Sequence, residues 1–461
     1  MKTKTEKTLA AAGSLDQFAS PSTIEKPEGR NARESVISLP EWWMPVVLRI
    51  AALPDLEPRT LKRIVPALQQ LSSHLNDVDA RRNTPAVYMR DKRMRESYLL
   101  YYVTTNLLKL LWPLNELWPT GAPNDRSSQS SAHVPASTHV PASTHVPVST
   151  HVPASTHVPG VHAPAILAPD APIPAAPLRI LDVGCGPGTG IAALHAWRDR
   201  CPGSRPIHVH GVDTIAANTV LYREMGRVLR EFSGHEIECD AAVGDLRHLE
   251  GESGTYDLVM GMNVLNEIPE AAQIRFLERC TELLAPGGAL LLVEPALRST
   301  ARGLLRLRDR AVQDGWSIIS PCFRQGACPA LVNEKDWCHH DMPWHRPDFI
   351  AWLDEEIGNI KRSLKFSCMV LHRGEAPRQY NANEGMPLRV VSELFVEKGR
   401  SSCFCCGESG RRIYQRNKRD RSDSNADFDD LQRYDAILLS GEEDRQHDVR
   451  IPSEARLRRF R

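Results

Sequence analysis

The chain is 461 residues long, 41% hydrophobic and 25% charged, which is enough for two or three domains and a sizeable core. Basic and acidic residues balance at 57 each, so a wholesale polyanion binder is excluded and any nucleic-acid contact must come from local basic patches. Eleven cysteines, with no even spacing and no secretory leader, indicate a reducing compartment, where clustered thiols bind metal more often than they form disulfides.

Residues 1–35 are polar and expected to be disordered. The opening MKTKTEKTLAAAGSLDQF mixes lysine with glutamate and aspartate. It fits a signal peptide badly and a mitochondrial presequence weakly, which favours a bacterial-type cytoplasm, with the mitochondrial matrix as the alternative. From 36 to 120 helical periodicity takes over. Leu61, Ile64, Val65, Leu68, Leu71 and Leu75 form an i, i+3, i+4, i+7 stripe, and the aromatic-rich 98–112 predicts a more buried second helix. The run is too short and too polar to span a bilayer, so no membrane partner is expected.

Between 121 and 177 lies a linker. HVPAST recurs with a period of six from His133 to Pro159; a proline in every repeat and no large apolar side chain leave nothing to build a core. Its evenly spaced histidines read as by-products of the repeat rather than as a metal site.

From Leu178 strands and helices alternate. RILDVGC, HVHGVD, IECDAAVGD, YDLVMGMNV and ALLLVEP are separated by helical stretches such as ANTVLYREMGRVLREF and AAQIRFLERCTELL. This calls for an α/β fold with a doubly wound, mostly parallel sheet over 178–300. KFSCMVLHR and LRVVSELFVEK predict later strands in a 301–424 extension, and 425–461 reads as a charged, solvated tail.

The first strand runs through Asp182 into Gly184, Gly186 and Gly188 and then a helix, the context in which a glycine loop lets backbone approach a ligand. Asp213 ends the second strand, where a carboxylate can accept ribose hydroxyls. Asp245 follows the third, where an adenine amino group needs an acceptor, and Asn263 follows the fourth. LAPGGALLLVEP closes the series. Cys185 is expected to be a small packing residue in the turn. These motifs, over about 178–296, resemble the class I S-adenosylmethionine (SAM)-dependent methyltransferases. The resemblance implies a Rossmann-like domain that binds SAM through Asp182, Gly184, Gly186, Gly188, Asp213, Asp245 and Asn263. In such a site the methyl donor is already activated and the protein mainly positions the nucleophile. The (D/N)-P-P-(Y/F) signature of base amino-methylation is missing, and no catalytic residue is assigned.

Cys322, Cys328 and Cys338 fall within seventeen residues, and Cys403, Cys405 and Cys406 follow about 65 residues later. Four thiolates from two separated segments can hold a tetrahedral zinc or an iron–sulfur cluster. C-x5-C-x9-C is not a zinc-ribbon spacing, and Pro and Gly beside the cysteines favour an irregular loop around a centre. PC-x5-CP, WCH, VEP, LKFS and C-x3-G before a basic stretch resemble the methyltransferase-like assembly factors of the mitochondrial small ribosomal subunit and their bacterial relatives. The resemblance implies a [4Fe–4S] cluster, with zinc as the alternative, held by Cys322, Cys328, Cys338 and Cys406, and with Cys405 the second choice for the last position. His339 reads as a neighbour of the centre or a surface residue rather than a ligand.

Arg411, Arg412, Arg416, Lys418, Arg419 and Arg421 are six cations in eleven residues, able to clamp phosphates or to sit as a solvated face. Arg411, Arg412, Lys418 and Arg419 are the expected RNA contacts. Two functions follow. One is SAM-dependent methyl transfer to RNA, as the resemblance implies, of the small ribosomal subunit. The other is an assembly factor that binds SAM and ribosomal RNA without turnover. A small-molecule methyltransferase is weaker, because it leaves the cysteines and basic stretch unexplained. A monomer is expected.

Overall fold

The computed structural model describes residues 36–76, 89, 91–119, 176–201, 205–249, 254–374 and 382–460. The expected disorder of 1–35 and almost all of the 121–177 linker, with its histidines, lie outside these residues.

The strands expected from Leu178 onward form one sheet. In chain order these are β1 (Leu178–Val183), β2 (Ile207–Asp213), β3 (Ile237–Val243), β4 (Tyr256–Met262), β5 (Leu284–Pro295), β6 (Trp316–Ser320), β7 (His340–Pro343) and β8 (Ser363–Arg373). The order across the sheet is β3-β2-β1-β4-β5-β8-β6, with β7 pairing onto β8. β1 to β5 are parallel, with Ile180 opposite both Val209 and Leu258. β8 runs antiparallel to both β5 and β6. One reversed strand inserted between the fifth and sixth is the class I methyltransferase arrangement, so the fold class read from the sequence holds. β4 and β5 carry near-continuous apolar runs because both faces are covered. α5 (Thr189–Arg200) and α6 (Ala216–Ser233) lie on one face, α7 (Glu270–Leu283) and α8 (Arg298–Gln313) on the other.

The N-terminal helices were expected to make a domain of their own, and they do not. These are α1 (Trp43–Ala51), α2 (Pro58–Asn76), α3 (Lys92–Ser97), and α4 (Thr104–Leu117), which continues α3 through a π-helical turn at Tyr98–Val103. Trp43, Leu68, Leu100 and Leu111 share one core with Ile180, Val209, Leu258 and Leu291 of the sheet. Trp42 donates to Asp199 at 2.8 Å and Arg49 pairs with Glu231 at 2.6 Å, fixing α1 to α5 and α6. Their apolar stripe is the cover for one face of the sheet, and from Ile37 on the chain is a single unit.

Two further expectations are corrected. Residues 301–373 complete the first sheet through β6 and β8 rather than starting an extension. Residues 425–460 are no solvated tail. A second sheet, ordered β14-β15-β12-β11-β9-β13-β16 with β10 on β11, is built from β9 (Met386–Val390), β10 (Phe395–Glu397), β11 (Arg400–Gly407), β12 (Gly410–Asn417), β13 (Ala436–Ser440), β14 (Glu443–Asp444), β15 (Val449–Arg450) and β16 (Arg456–Phe460). Leu388, Val390, Ile437, Leu439, Ile451 and Leu457 form its core. Strands buried on one face alternate apolar with charged residues, and in a short strand such as Arg456-Leu457-Arg458 this looks like a charged tail.

Candidate functional site

Two sites emerge. The first is a cavity of about 830 Å3 at the C-terminal ends of the parallel strands, where β1 and β4 lie side by side and the strand order reverses, the usual ligand position in such sheets. Gly184, Gly186, Asp213, Asp245 and Asn263 line it. Gly184 and Gly186 have φ of 62° and 53°, and a Cβ on Gly184 would lie 2.6 Å from Val264 Cγ2. Asn263 holds a left-handed φ of 57°, which asparagine tolerates. Asp182 and Gly188 are not in the lining. Asp182 is buried beneath the loop, where burial pushes its carboxyl up to about 7, and Gly188 forms the left-handed start of α5.

Asp213 does more than face the cavity. Its carboxylate accepts from the backbone N–H of Gly186 at 2.9 Å and of Ile215 at 2.8 Å, and from the Asn218 amide at 3.1 Å. It thereby holds the glycine loop to β2, and a carboxylate with about four acceptor positions keeps one for a ligand. Burial raises its pKa against those three hydrogen bonds. Asp245 accepts from Arg247 through both carboxylate oxygens, and that guanidinium holds it below the usual carboxylate range.

Sequence reasoning missed several groups here. Glu294, at the end of β5, accepts from Leu265 N at 2.9 Å and Asn266 Nδ2 at 2.6 Å and so fixes the 263–267 loop. Burial pushes it up to about 7. The opposite wall comes from the helices: Tyr98, Tyr102, Asn106 and Lys109, together with Lys361 and Lys365. Only the fold brings these across from the strand ends.

The second site is a small cavity of about 40 Å3 lined by Cys322, Cys328, Cys338 and Cys406, several times the room one water needs. The loop carrying the first three cysteines has little secondary structure, and arginines satisfy its carbonyls. Arg302 donates to Ala330, Asn333 and Asp336, Arg308 to Arg324 and Gly326, and Arg389 to Pro321 at 2.7 Å. The Cys338 thiol lies 3.3 Å from the Tyr434 hydroxyl. Burial raises the Cys328 thiol to about 12, and raises Cys322 against the pull of Arg308 and Arg389. Cys406 shares its strand with Cys403 and Cys405, whose sulfurs are 3.6 Å apart in the core of the second sheet. Alternation along β11 puts Cys406 on the other face, with the cavity. Cys368 of β8 also lines it, a fifth thiol the sequence did not single out, while His339 does not. Among the described residues no group of three or more His, Cys, Asp or Glu side chains is placed to hold a metal ion.

The basic stretch is partly engaged by acids. Arg411 pairs with Asp336, Arg412 with Asp444 at 2.5 Å, and the buried Arg416 with Asp429. Lys418 and Arg419 are exposed. No helix among the described residues is long and apolar enough to cross a membrane.

A family model described as mitochondrial small ribosomal subunit Rsm22 matches residues 170–420. The ubiquinone biosynthesis O-methyltransferase of Methylocella silvestris is 34% identical over 120 residues, a match that covers 26% of this chain and 41% of that enzyme. The chain thus spans less than half the length of this curated relative. Among solved structures, a magnesium protoporphyrin IX methyltransferase from Synechocystis with bound SAM is 16% identical, with 43% of this chain and 71% of that one covered and a TM-score of 0.27. A putative sarcosine dimethylglycine methyltransferase from Galdieria sulphuraria is 12% identical, with 43% and 79% covered and a TM-score of 0.27. The fold assignment rests on the strand order, not on these two.

Proposed function

The chain belongs to the family of the mitochondrial small ribosomal subunit protein Rsm22, and from that premise we propose that it binds SAM in the strand-end cavity and acts on the small ribosomal subunit. The observation that carries the reading is the cavity itself: a left-handed glycine loop tied to Asp213, with Asp245 and Asn263 beside it. SAM would lie along the loop, with its ribose on the remaining acceptor of Asp213. Its adenine would lie near Asp245, where Arg247 must share the carboxylate. Asp182 and Gly188 support the loop from behind.

The acceptor is RNA of the small subunit in this reading, and Lys418 and Arg419, in the turn after β12, are exposed cations of the basic stretch that can meet phosphates. The family description fits the mitochondrial alternative for the compartment. The missing base-methylation signature keeps the second function in view, an assembly factor that binds SAM and RNA without turnover.

Cys322, Cys328, Cys338 and Cys406 would hold a [4Fe–4S] cluster in this reading, with zinc as the alternative. All four line one cavity, and the charges of Arg308, Arg389 and Arg411 around it suit an anionic thiolate centre. Such a centre would tie the 321–338 loop to β11.

Calorimetric titration with SAM tests the first claim. Wild type should bind, and Asp213→Asn should bind at least about tenfold more weakly, since one of the acceptors of three N–H groups is lost. Labelled SAM with ribosomal RNA then separates turnover from binding. Iron and sulfide measured after anaerobic purification test the cluster: Cys406→Ser should lose iron and Cys405→Ser should keep it. Equal retention in both would sink the ligand assignment.

A further inference from the structure

The wall of the strand-end cavity that faces away from the glycine loop carries an excess of positive charge. Lys109 of α4, with Lys361 and Lys365 just before and within β8, lines it. Lys109 and residues 359–365 also line an adjoining hollow of about 410 Å3. Of the three acids that line the cavity, Asp213 is engaged by backbone N–H groups and Asp245 by Arg247, while Glu267 lies by Tyr98. Asp354, the carboxylate nearest Lys361, already accepts from Arg346 at 2.9 Å, from the Lys361 backbone N–H at 2.8 Å and from the Tyr101 hydroxyl. The Lys361 ammonium instead donates to the Tyr101 hydroxyl at 2.8 Å and sits 4.3 Å from the centre of that ring. Lys365 reaches Asp341 at 3.3 Å but remains 57% exposed. For Lys109 the charge that acts on it is that of Lys361, and together with burial it pushes the amine down to about 7. Burial takes Lys361 down to about 8. Two like charges set side by side in a partly dry cavity are costly unless an anion joins them.

The same wall carries Tyr98 and Tyr102, stacked at 5.6 Å and 28° and both in the cavity lining. An aromatic pair beside cations is a platform for a base with its phosphate. We propose that Lys109, Lys361 and Lys365 form a phosphate subsite that holds a phosphodiester of the RNA acceptor, with the adjacent base against Tyr98 and Tyr102, next to the methyl donor. The inference rests on the reading of this cavity as the donor site and adds the acceptor's chemistry to it. The continuation of the cavity into the lysine-lined hollow suits a strand that passes through rather than a small molecule that ends there.

The test uses the full chain. Anisotropy of a fluorescein-labelled hexaribonucleotide is measured for wild type, Lys109→Met, Lys109→Arg, Lys361→Met and the exposed control Lys62→Met, with inorganic phosphate as competitor. SAM affinity is read on the same samples. Loss of a charge-assisted contact should weaken hexamer binding at least about tenfold in Lys109→Met and Lys361→Met, Lys109→Arg should restore most of it, and phosphate should compete in wild type. An unchanged hexamer affinity in folded Lys109→Met overturns the subsite, and so does failure of phosphate to compete, a result that does not depend on any variant folding. A nucleoside monophosphate that binds as tightly as the hexamer overturns the RNA strand as its ligand. If wild type does not bind SAM yet the lysine variants lose the hexamer, the donor reading fails and the subsite stands.

Discussion

A single methyl group separates Gly190 from alanine, and the fold has no room for it. A Cβ there would lie 2.3 Å from Asp182 Oδ2 and 2.7 Å from Met260 Cε, both buried under the glycine loop. Gly190→Ala should cost about 1–3 kcal/mol, seen as a lower urea midpoint with an unchanged slope; a variant as stable as wild type would mean that Asp182 is not packed there. His195 makes the opposite kind of demand, an electrostatic one. It is fully buried, its Nδ1 is 2.7 Å from the Ser233 hydroxyl, and burial with the charges of His235, Arg230 and Arg198 pushes it down to about 3 from an ordinary 6.5. The unfolded chain therefore takes up the proton first. Stability is kept above about pH 6.5 and lost as pH falls toward 3, by about 2 kcal/mol at pH 5. Urea titrations at pH 7 and pH 5 should show that loss in wild type and a smaller one in His195→Gln.

Single elements here serve more than one place. The 263–267 loop owes its position to Glu294, whose two acceptor contacts are made from the end of another strand. Glu294→Gln turns one acceptor into a donor facing a donor, at about 1–3 kcal/mol. The loop should loosen and SAM affinity should fall about tenfold or more, while hydrogen exchange rises in 263–267 and not in α5; uniform exchange throughout would point to a global defect instead. Helix α4 links the two sites. Lys109 faces the strand-end cavity. Seven residues on, about 10 Å along the axis, Glu116 holds Arg389 at 2.7 Å and accepts from Ser320 at 3.1 Å. Arg389 in turn lines the thiol cavity. Strand β11 divides its thiols by alternation, Cys403 and Cys405 into the second core and Cys406 toward the other cysteines.

The whole molecule depends on two sheets meeting at the thiol cavity, with Cys322, Cys328 and Cys338 from the first part and Cys406 from the second. A chain that stops at residue 424 lacks β13 to β16 and uncovers Leu388, Val390 and Cys405. It should lose protection over residues 386–417 in limited proteolysis and lose bound iron with it, although α5 and β1 to β5 remain. Retention of both would show that 425–460 is dispensable after all.

The order of residues alone disclosed the glycine loop, the strand ends at Asp213 and Asp245, and the doubly wound class, because turn chemistry and apolar periodicity are local properties that need no partner. The two cysteine clusters were legible as spacing and the choice of Cys406 came from a resemblance, while the face that each thiol of β11 takes follows from strand alternation. The N-terminal helices were legible as helices but not as the cover of the sheet, and the final strands were hidden by their charged alternate positions. The pairing of Arg411, Arg412 and Arg416 with acids, the anchoring of a loop by Glu294 and the meeting of Lys109 with Lys361 are contacts between segments distant in the chain. No local pattern encodes them, since side-chain partners are set by which surfaces packing brings together, and that was decided only when the helices closed over the strand ends and the second sheet closed the thiol cavity.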